Sequence, residues 1–224
     1  MSVLIGHASI DEHGKVKGGK AGDQTKKEVC IRTWYNKPWT VVIRFNDPAM
    51  REKAAQCMEW ACANDHIGYD QNQRNSLLKA ARKFNYDPRK VTTDVETDCS
   101  ALVTLCCIYA GIPESLLFVG NNSATTRTLK FRLVATKEVT IFTTKEYTKK
   151  PDNLLRGDIL LAEGHHVAIV TKDEHVNDKS IDEIAKEVIA GLWGNEPERR
   201  ARLIEAGYNY AMVKAKVNEM YGKH

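Results

Sequence analysis

The sequence predicts an α+β protein with a wholly helical tail, and three observations carry that class. Residues 2–45 hold β-branched and aromatic runs broken by glycine turns. The middle of the chain holds apolar segments at helical spacing. From Ser180 onward the apolar residues recur every three or four positions without interruption.

The elements follow in order. Val29-Cys30-Ile31 and Trp39-Thr40-Val41-Val42-Ile43 read as strands, with turns at His13-Gly14 and Gly18-Gly19. Asp47 reads as an N-cap, because Pro48 follows it and suits the first helical position. The helix it opens runs to about Asn64, with Ala54, Ala55, Met58 and Ala61 facing a core. A break at residues 65–70 precedes a second helix over about 72–84, then a polar loop to 98. An apolar helix from Cys99 to Ala110 is stopped by Gly111 and Pro113. Strands are expected near 129–134, 138–143 and 158–162, and a last one over 166–170.

This pattern divides the chain into a first domain, 1–172, a polar linker, 173–179, and a small module, 180–224. In the module, Ser180 and Glu183 form a capping box, and three short helices are expected, broken near Gly191–Gly194 and at Gly207. So short a bundle is near the minimum size for independent folding.

Charge and cysteine usage narrow the classes. The formal net charge is +4, and residues before Asp178 carry all of it. That suits an anionic polymer, and without a basic stripe interleaved with aromatics it does not argue for nucleic acid. No apolar run reaches the length of a membrane span. The first residues lack a basic segment followed by an apolar one, so synthesis in a cytoplasm without a signal peptide is expected. Six cysteines make no CxxC pair, so neither a zinc site nor a redox dithiol is indicated, and no cofactor is expected. Cys106 and Cys107 read as core.

Two segments carry chemistry. In Thr97-Asp98-Cys99-Ser100-Ala101-Leu102-Val103 a cysteine stands at a helix start, where Asp98 or Thr97 can cap. The partial positive charge there favours thiolate and is expected to lower the thiol pKa, and backbone N–H groups can hold an oxyanion. A cysteine nucleophile needs a base. The segment Gly164-His165-His166-Val167-Ala168-Ile169-Val170 offers a histidine at the mouth of an apolar strand. Alone, the cysteine reads more readily as a small core residue, and the histidine as a surface or satisfied one.

Their order along the chain, Asp98-Cys99-Ser100, then Gly157-Asp158, then His166-Val167-Ala168-Ile169-Val170, resembles the NlpC-like and CHAP-like cysteine peptidases of peptidoglycan. The resemblance implies a papain-like fold, Cys99 as nucleophile and His166 as base, with His165 the competing choice. Such enzymes orient the histidine with a third polar group on the next strand, but this chain runs almost directly from Val170 into the linker. The N-terminal β region is the expected substitute. Gly22-Asp23-Gln24-Thr25 resembles a segment at the start of many phage lysins, which nominates Asp23, or Gln24, as the third member. Tyr69, about thirty residues before Cys99, matches a cleft tyrosine that helps to bind the oxyanion in the wider family. A zinc amidase using His165, His166 and His175 is the disfavoured alternative.

The tail resembles the CW-seven cell-wall-binding repeat of phage lysozymes. The match is carried by the run from Ser180 to Gly194, by Arg199, Arg202-Leu203, Ala206-Gly207-Tyr208-Asn209-Tyr210 and by Val217-Asn218. Arg199, Arg202, Tyr208 and Asn209 are the candidate wall contacts, and Trp193 reads as core. Together the two resemblances imply a phage endolysin, released by a holin, whose partner is the peptidoglycan of Gram-positive bacteria. They imply cleavage of a stem-peptide amide, with D-γ-glutamyl–diamino acid endopeptidase preferred to N-acetylmuramoyl-L-alanine amidase. A non-catalytic wall-binding protein is the reading from another class. A single repeat binds weakly, and homo-oligomerisation would add avidity.

Overall fold

The structure is a computed structural model that describes residues 2–173, 179–206, 208 and 210–222. The chain divides into two compact units, Met1–Asp173 and Glu174–His224.

The first unit is α+β. Its strands are β1 (Leu4–Ala8), β2 (Val29–Thr33), β3 (Val41–Phe45), β4 (Ile67–Tyr69), β5 (Val95–Thr97), β6 (Phe118–Val119), β7 (Asn122–Ser123), β8 (Val139–Phe142), β9 (Ile159–Ala162) and β10 (His166–Lys172). Its helices are α1 (Pro48–Cys62), α2 (Ser76–Ala81), α3 (Cys99–Ala110), α4 (Glu114–Leu117), α5 (Leu129–Ala135) and α6 (Lys145–Thr148). Six strands make one antiparallel sheet in the order β2-β1-β10-β9-β3-β8. β1 and β10 are neighbours in it, with Ile5 opposite Val170 and Gly6 opposite Ile169. The first strand thus closes against the last.

Both faces of this sheet are covered, which is why β9 and β10 read as continuous apolar runs. On one face Val41, Ile43, Val167 and Ile169 join Met58 of α1 and Leu102, Cys106 of α3 in the main core. On the other, Ile5, Val42, Ala168 and Val170 pack with Trp39. The expected cap of α1 forms: the Asp47 side chain accepts from Ala49 N–H. α3 is buried on nearly every side, and Gly111 closes it. Asp158 of the Gly-Asp turn is fully buried, where Arg44 grips both of its oxygens at 2.7 and 2.6 Å. Arg156 does similar work, joining Glu52 and Glu59 of α1.

The structure corrects three element assignments. Residues 129–135 form helix α5, not a strand. The alternation of Leu129, Phe131 and Leu133 suggested a strand, but Leu129 and Leu133 are buried one helical turn apart while Phe131 is 78% exposed. The second helix starts later than expected, at Ser76, because Asp70 accepts from Asn72 N–H and forms a turn there. The loop 85–98 contains β5, which pairs in parallel with β4.

In the second unit, α7 (Ile181–Ile189), α8 (Glu198–Glu205) and α9 (Tyr210–Tyr221) surround a small core of Ile184, Val188, Leu203, Tyr208 and Val213. The capping box forms in both directions: Ser180 Oγ accepts from Glu183 N–H, and Glu183 accepts from Ser180 N–H. The expected linker falls largely on residues 174–178, outside the described residues, and His175 lies there too. No described helix is long and apolar enough to cross a membrane.

Candidate active site

Cys99 begins α3, and Asp98 is its N-cap, with Oδ1 accepting from Ala101 N–H at 2.7 Å. Arg74 holds this cap. Its Nε donates to Asp98 Oδ2 at 2.5 Å, and its Nη2 donates to Ser100 Oγ at 2.8 Å and the Ala124 carbonyl at 2.9 Å. The start of the helix is thereby fixed to the 122–125 loop. Cys99 lies in a cleft of about 300 Å³, whose walls include Lys17, Gln71, Arg74, Thr125 and His165.

The start of β10 also approaches the sulfur. The backbone N–H of Val167, the residue after His166, points at Cys99, as does that of Ser100. Both favour a thiolate, but burial acts against them more strongly. The Cys99 thiol is pushed up to about 12 by burial and then by the neighbouring Asp98 carboxylate. The lowered pKa expected from the helix start is therefore overturned in the ligand-free protein, because desolvation outweighs the helix terminus.

His166 is buried at the start of β10, opposite Ala162. Its Nε2 meets Nδ1 of His7 at 2.8 Å. Continuing the β1–β10 register sets His7 opposite Ala168, on the same face as His166 and diagonal to it. Trp39 stacks on the His166 ring at 6.0 Å between centroids, and Tyr35 lies 6.3 Å from the His7 ring. These aromatics desolvate the pair. Burial brings His166 down to about 3, with His7, Lys37 and Arg32 adding to the shift. His7 falls to about 4, again chiefly by burial. Both imidazoles are neutral at neutral pH. With Nε2 of His166 engaged by His7, its Nδ1 is the ring nitrogen outside that contact.

His7 is a residue that sequence reasoning missed. The nominated third members do not reach His166. Asp23 Oδ1 accepts from Thr25 N–H and Lys27 N–H, and Oδ2 from Glu28 N–H and Val29 N–H. The acid ties up its own glycine-rich loop. Gln24 donates to the carbonyls of Ala21 and Gly22 in the same loop. The available signal was a histidine in the first strand of a chain short of strands after Val170.

Tyr69 is buried in β4, its hydroxyl accepting from Gln71 Nε2 at 3.3 Å. Burial raises its pKa, and Cys99 is the next largest cause, which places the phenol within electrostatic reach of the sulfur. His165 is exposed and lines the mouth of the same cleft.

In the second unit, Arg202 lines an open groove of about 530 Å³ with Lys179, Glu187 and Trp193. Arg199 lines a smaller one of about 170 Å³ with Tyr210 and Asn218, and its Nε donates to the Gly194 carbonyl at 2.9 Å. Tyr208, expected at the surface, is a core residue, packed edge-on against Trp193. Asn209 lies outside the described residues.

Comparison with known proteins places these units. No solved structure matches the chain. A lysozyme of Streptococcus phage Cp-7 is 45% identical over 53 residues, which is 22% of this chain and 16% of that protein. The chain thus spans about a sixth of the length of that curated relative. Residues 182–220 match the CW_7 repeat. Residues 5–177, nearly the whole first unit, match the endolysin-like domain, and the chain belongs to that family.

Proposed function

We propose that the protein is a peptidoglycan hydrolase that cuts a stem-peptide amide through Cys99, in a first unit of papain-like type. The observation that carries this reading is the Val167 N–H that points at Cys99, which brings the start of β10, where the buried His7–His166 pair sits, to the nucleophile. In the tautomer this mechanism requires, His166 Nε2–H donates to His7 Nδ1, which leaves the His166 Nδ1 lone pair free to act as base. Substrate binding brings the carbonyl carbon to the sulfur. The thiol proton passes to His166 as the C–S bond forms, and N–H groups at the start of α3 hold the oxyanion. The imidazolium returns its proton to the departing amine, leaving a thioester. His166 then takes a proton from water, which hydrolyses it. Tyr69, within electrostatic reach of the sulfur, is assigned to help hold the oxyanion.

His166 is preferred to His165 as base because His7 orients it, whereas His165 is exposed at the cleft mouth. The preferred bond is D-γ-glutamyl–diamino acid, with muramoyl–L-alanine the alternative. In the second unit, read as a three-helix bundle, Arg199 and Arg202 line grooves that suit an anionic muropeptide. The lysozyme of phage Cp-7 supports the wall as target.

Mass spectrometry of the muropeptides released from purified Gram-positive wall tests this reading. New stem-peptide termini should appear with the wild-type protein and vanish with Cys99→Ala, while that variant still sediments with the wall. Release at the normal rate by Cys99→Ala would sink the cysteine mechanism. Wall binding without release by the wild type would establish a non-catalytic binder.

A further inference from the structure

Two cations stand at the Cys99 cleft without an acid of their own. Lys17 lines the cleft itself, and Arg127 lines an adjoining groove of about 370 Å³ with Glu163. Gly164 and His165 line both, so the turn between β9 and β10 is their shared wall. The guanidinium of Arg127 lies against that turn. A Cβ on Gly164 would stand 3.7 Å from Arg127 Nε and 3.9 Å from its Cζ and Nη2. With φ at +78°, Gly164 holds a backbone conformation that side chains rarely adopt, and its bare face is what the guanidinium covers.

Both cations are carried by anchored loops. Thr125 N–H donates to Thr128 Oγ1, and the Thr125 carbonyl accepts from Thr128 N–H and Leu129 N–H, which sets Arg127 inside the turn that opens α5. Arg74 ties the same loop to the start of α3 through the Ala124 carbonyl. Next to Lys17, the Val16 carbonyl accepts from Gln71 N–H at 3.1 Å.

The acids that line the two grooves are already taken. Asp98 is gripped by Arg74, and Glu163 by Lys130 at 2.7 Å. Among the described residues neither Lys17 nor Arg127 joins an ion pair. The grooves thus carry a surplus of positive charge beside the nucleophile, and the fork of an arginine matches a carboxylate. A γ-linked glutamyl residue supplies one. Its reacting carbonyl is that of the side chain, so its α-carboxylate is left beside the scissile amide.

We propose that Arg127, seated on the Gly164 turn and assisted by Lys17, determines specificity by binding that α-carboxylate. The protein then prefers a D-γ-glutamyl stem peptide with a free α-carboxylate to its α-amide. This preference rests on the endopeptidase reading proposed above for Cys99. The contact is the same before and during bond cleavage, so it acts on KM rather than kcat.

The test compares two soluble muropeptides, N-acetylmuramoyl-L-alanyl-D-γ-glutamyl-diamino acid with the glutamyl α-carboxyl free or amidated. The full chain cleaves them, and mass spectrometry follows the products. The wild type should cleave the free acid with a kcat/KM about tenfold higher, the difference lying in KM. Arg127→Met should remove most of that preference, Arg127→Lys should keep part of it, and Lys17→Met should lower it by a smaller factor. Added sodium chloride should shrink it as well. The preference is a ratio taken on one preparation, so any loss of folded protein in a variant cancels. Equal rates on the two substrates, at whichever bond, would overturn the subsite and leave the cysteine mechanism standing. A preference that Arg127→Met retains in full would do the same. Cleavage of neither substrate would overturn the proposed function and the subsite with it.

Discussion

The two units bury their side chains for different ends. The first encloses ionisable groups: His7, His166, Asp158 and Glu96 are each at most 6% exposed, and Cys99 is 7% exposed. The second encloses little more than Ile184, Val188, Leu203, Tyr208 and Val213. A two-faced six-stranded sheet can desolvate a thiol and two imidazoles, and shift all three toward their neutral forms. So small a core cannot do this, and among the described residues it leaves Arg202 on an open groove. On the proposed function, chemistry falls to the unit that excludes water, and recognition of a large polymer to the one that does not.

The largest test of this contrast removes His7, the group proposed to orient the base. His7→Ala should lower kcat on a soluble muropeptide about 10²–10⁴-fold with little change in KM, as expected when a base loses its tautomer and aim. His7→Asn, which retains an acceptor, should recover part of that loss. An unchanged kcat in a folded His7→Ala protein would show that the buried pair is mere packing.

A smaller effect reads the protonation of the centre itself. With the thiol raised to about 12 and His166 lowered to about 3, the neutral pair persists across the range between. A raised thiol pKa means that the reactive thiolate is the minor form at neutral pH and grows with pH. Alkylation of Cys99 by iodoacetamide, followed by mass spectrometry of its peptide, should therefore rise about tenfold per pH unit from 6 to 9 in the ligand-free protein. A rate that is flat over that range would reveal a preformed thiolate–imidazolium pair and refute the desolvation account.

These two outcomes rest on features that the sequence exposes unequally. The start of α3 is legible because a cap, a cysteine and an apolar run are adjacent, and the start of α1 because Asp47 precedes Pro48. β9 and β10 are legible as apolar runs. His7 is not, since its partner is 159 residues away and only strand pairing joins them. Local pattern drew attention to Asp23 instead, whose glycine-rich surroundings serve its own loop. The direction of the Cys99 shift was misread for a related reason. The helix terminus that favours thiolate is local, while the burial that opposes it comes from β10 and from the cleft wall. The helices of the CW_7 segment are legible from their caps and spacing, but their packing is not: α7 packs chiefly on α9 rather than on its chain neighbour α8, and the burial of Tyr208 depends on Trp193 from another turn.

The smallest effect on catalysis should come from the second unit. Leu203 is fully buried among its core residues. Leu203→Ala should cost that unit about 2–5 kcal/mol, enough to unfold so small a core. Sedimentation with purified wall should then fall sharply. Cleavage of a soluble muropeptide, which needs no anchoring, should proceed at the wild-type rate, because the groups that shift and orient Cys99 belong to the first unit. A matching loss on the soluble substrate would mean that the helical unit also shapes the active cleft, and would break the division of labour between the two cores.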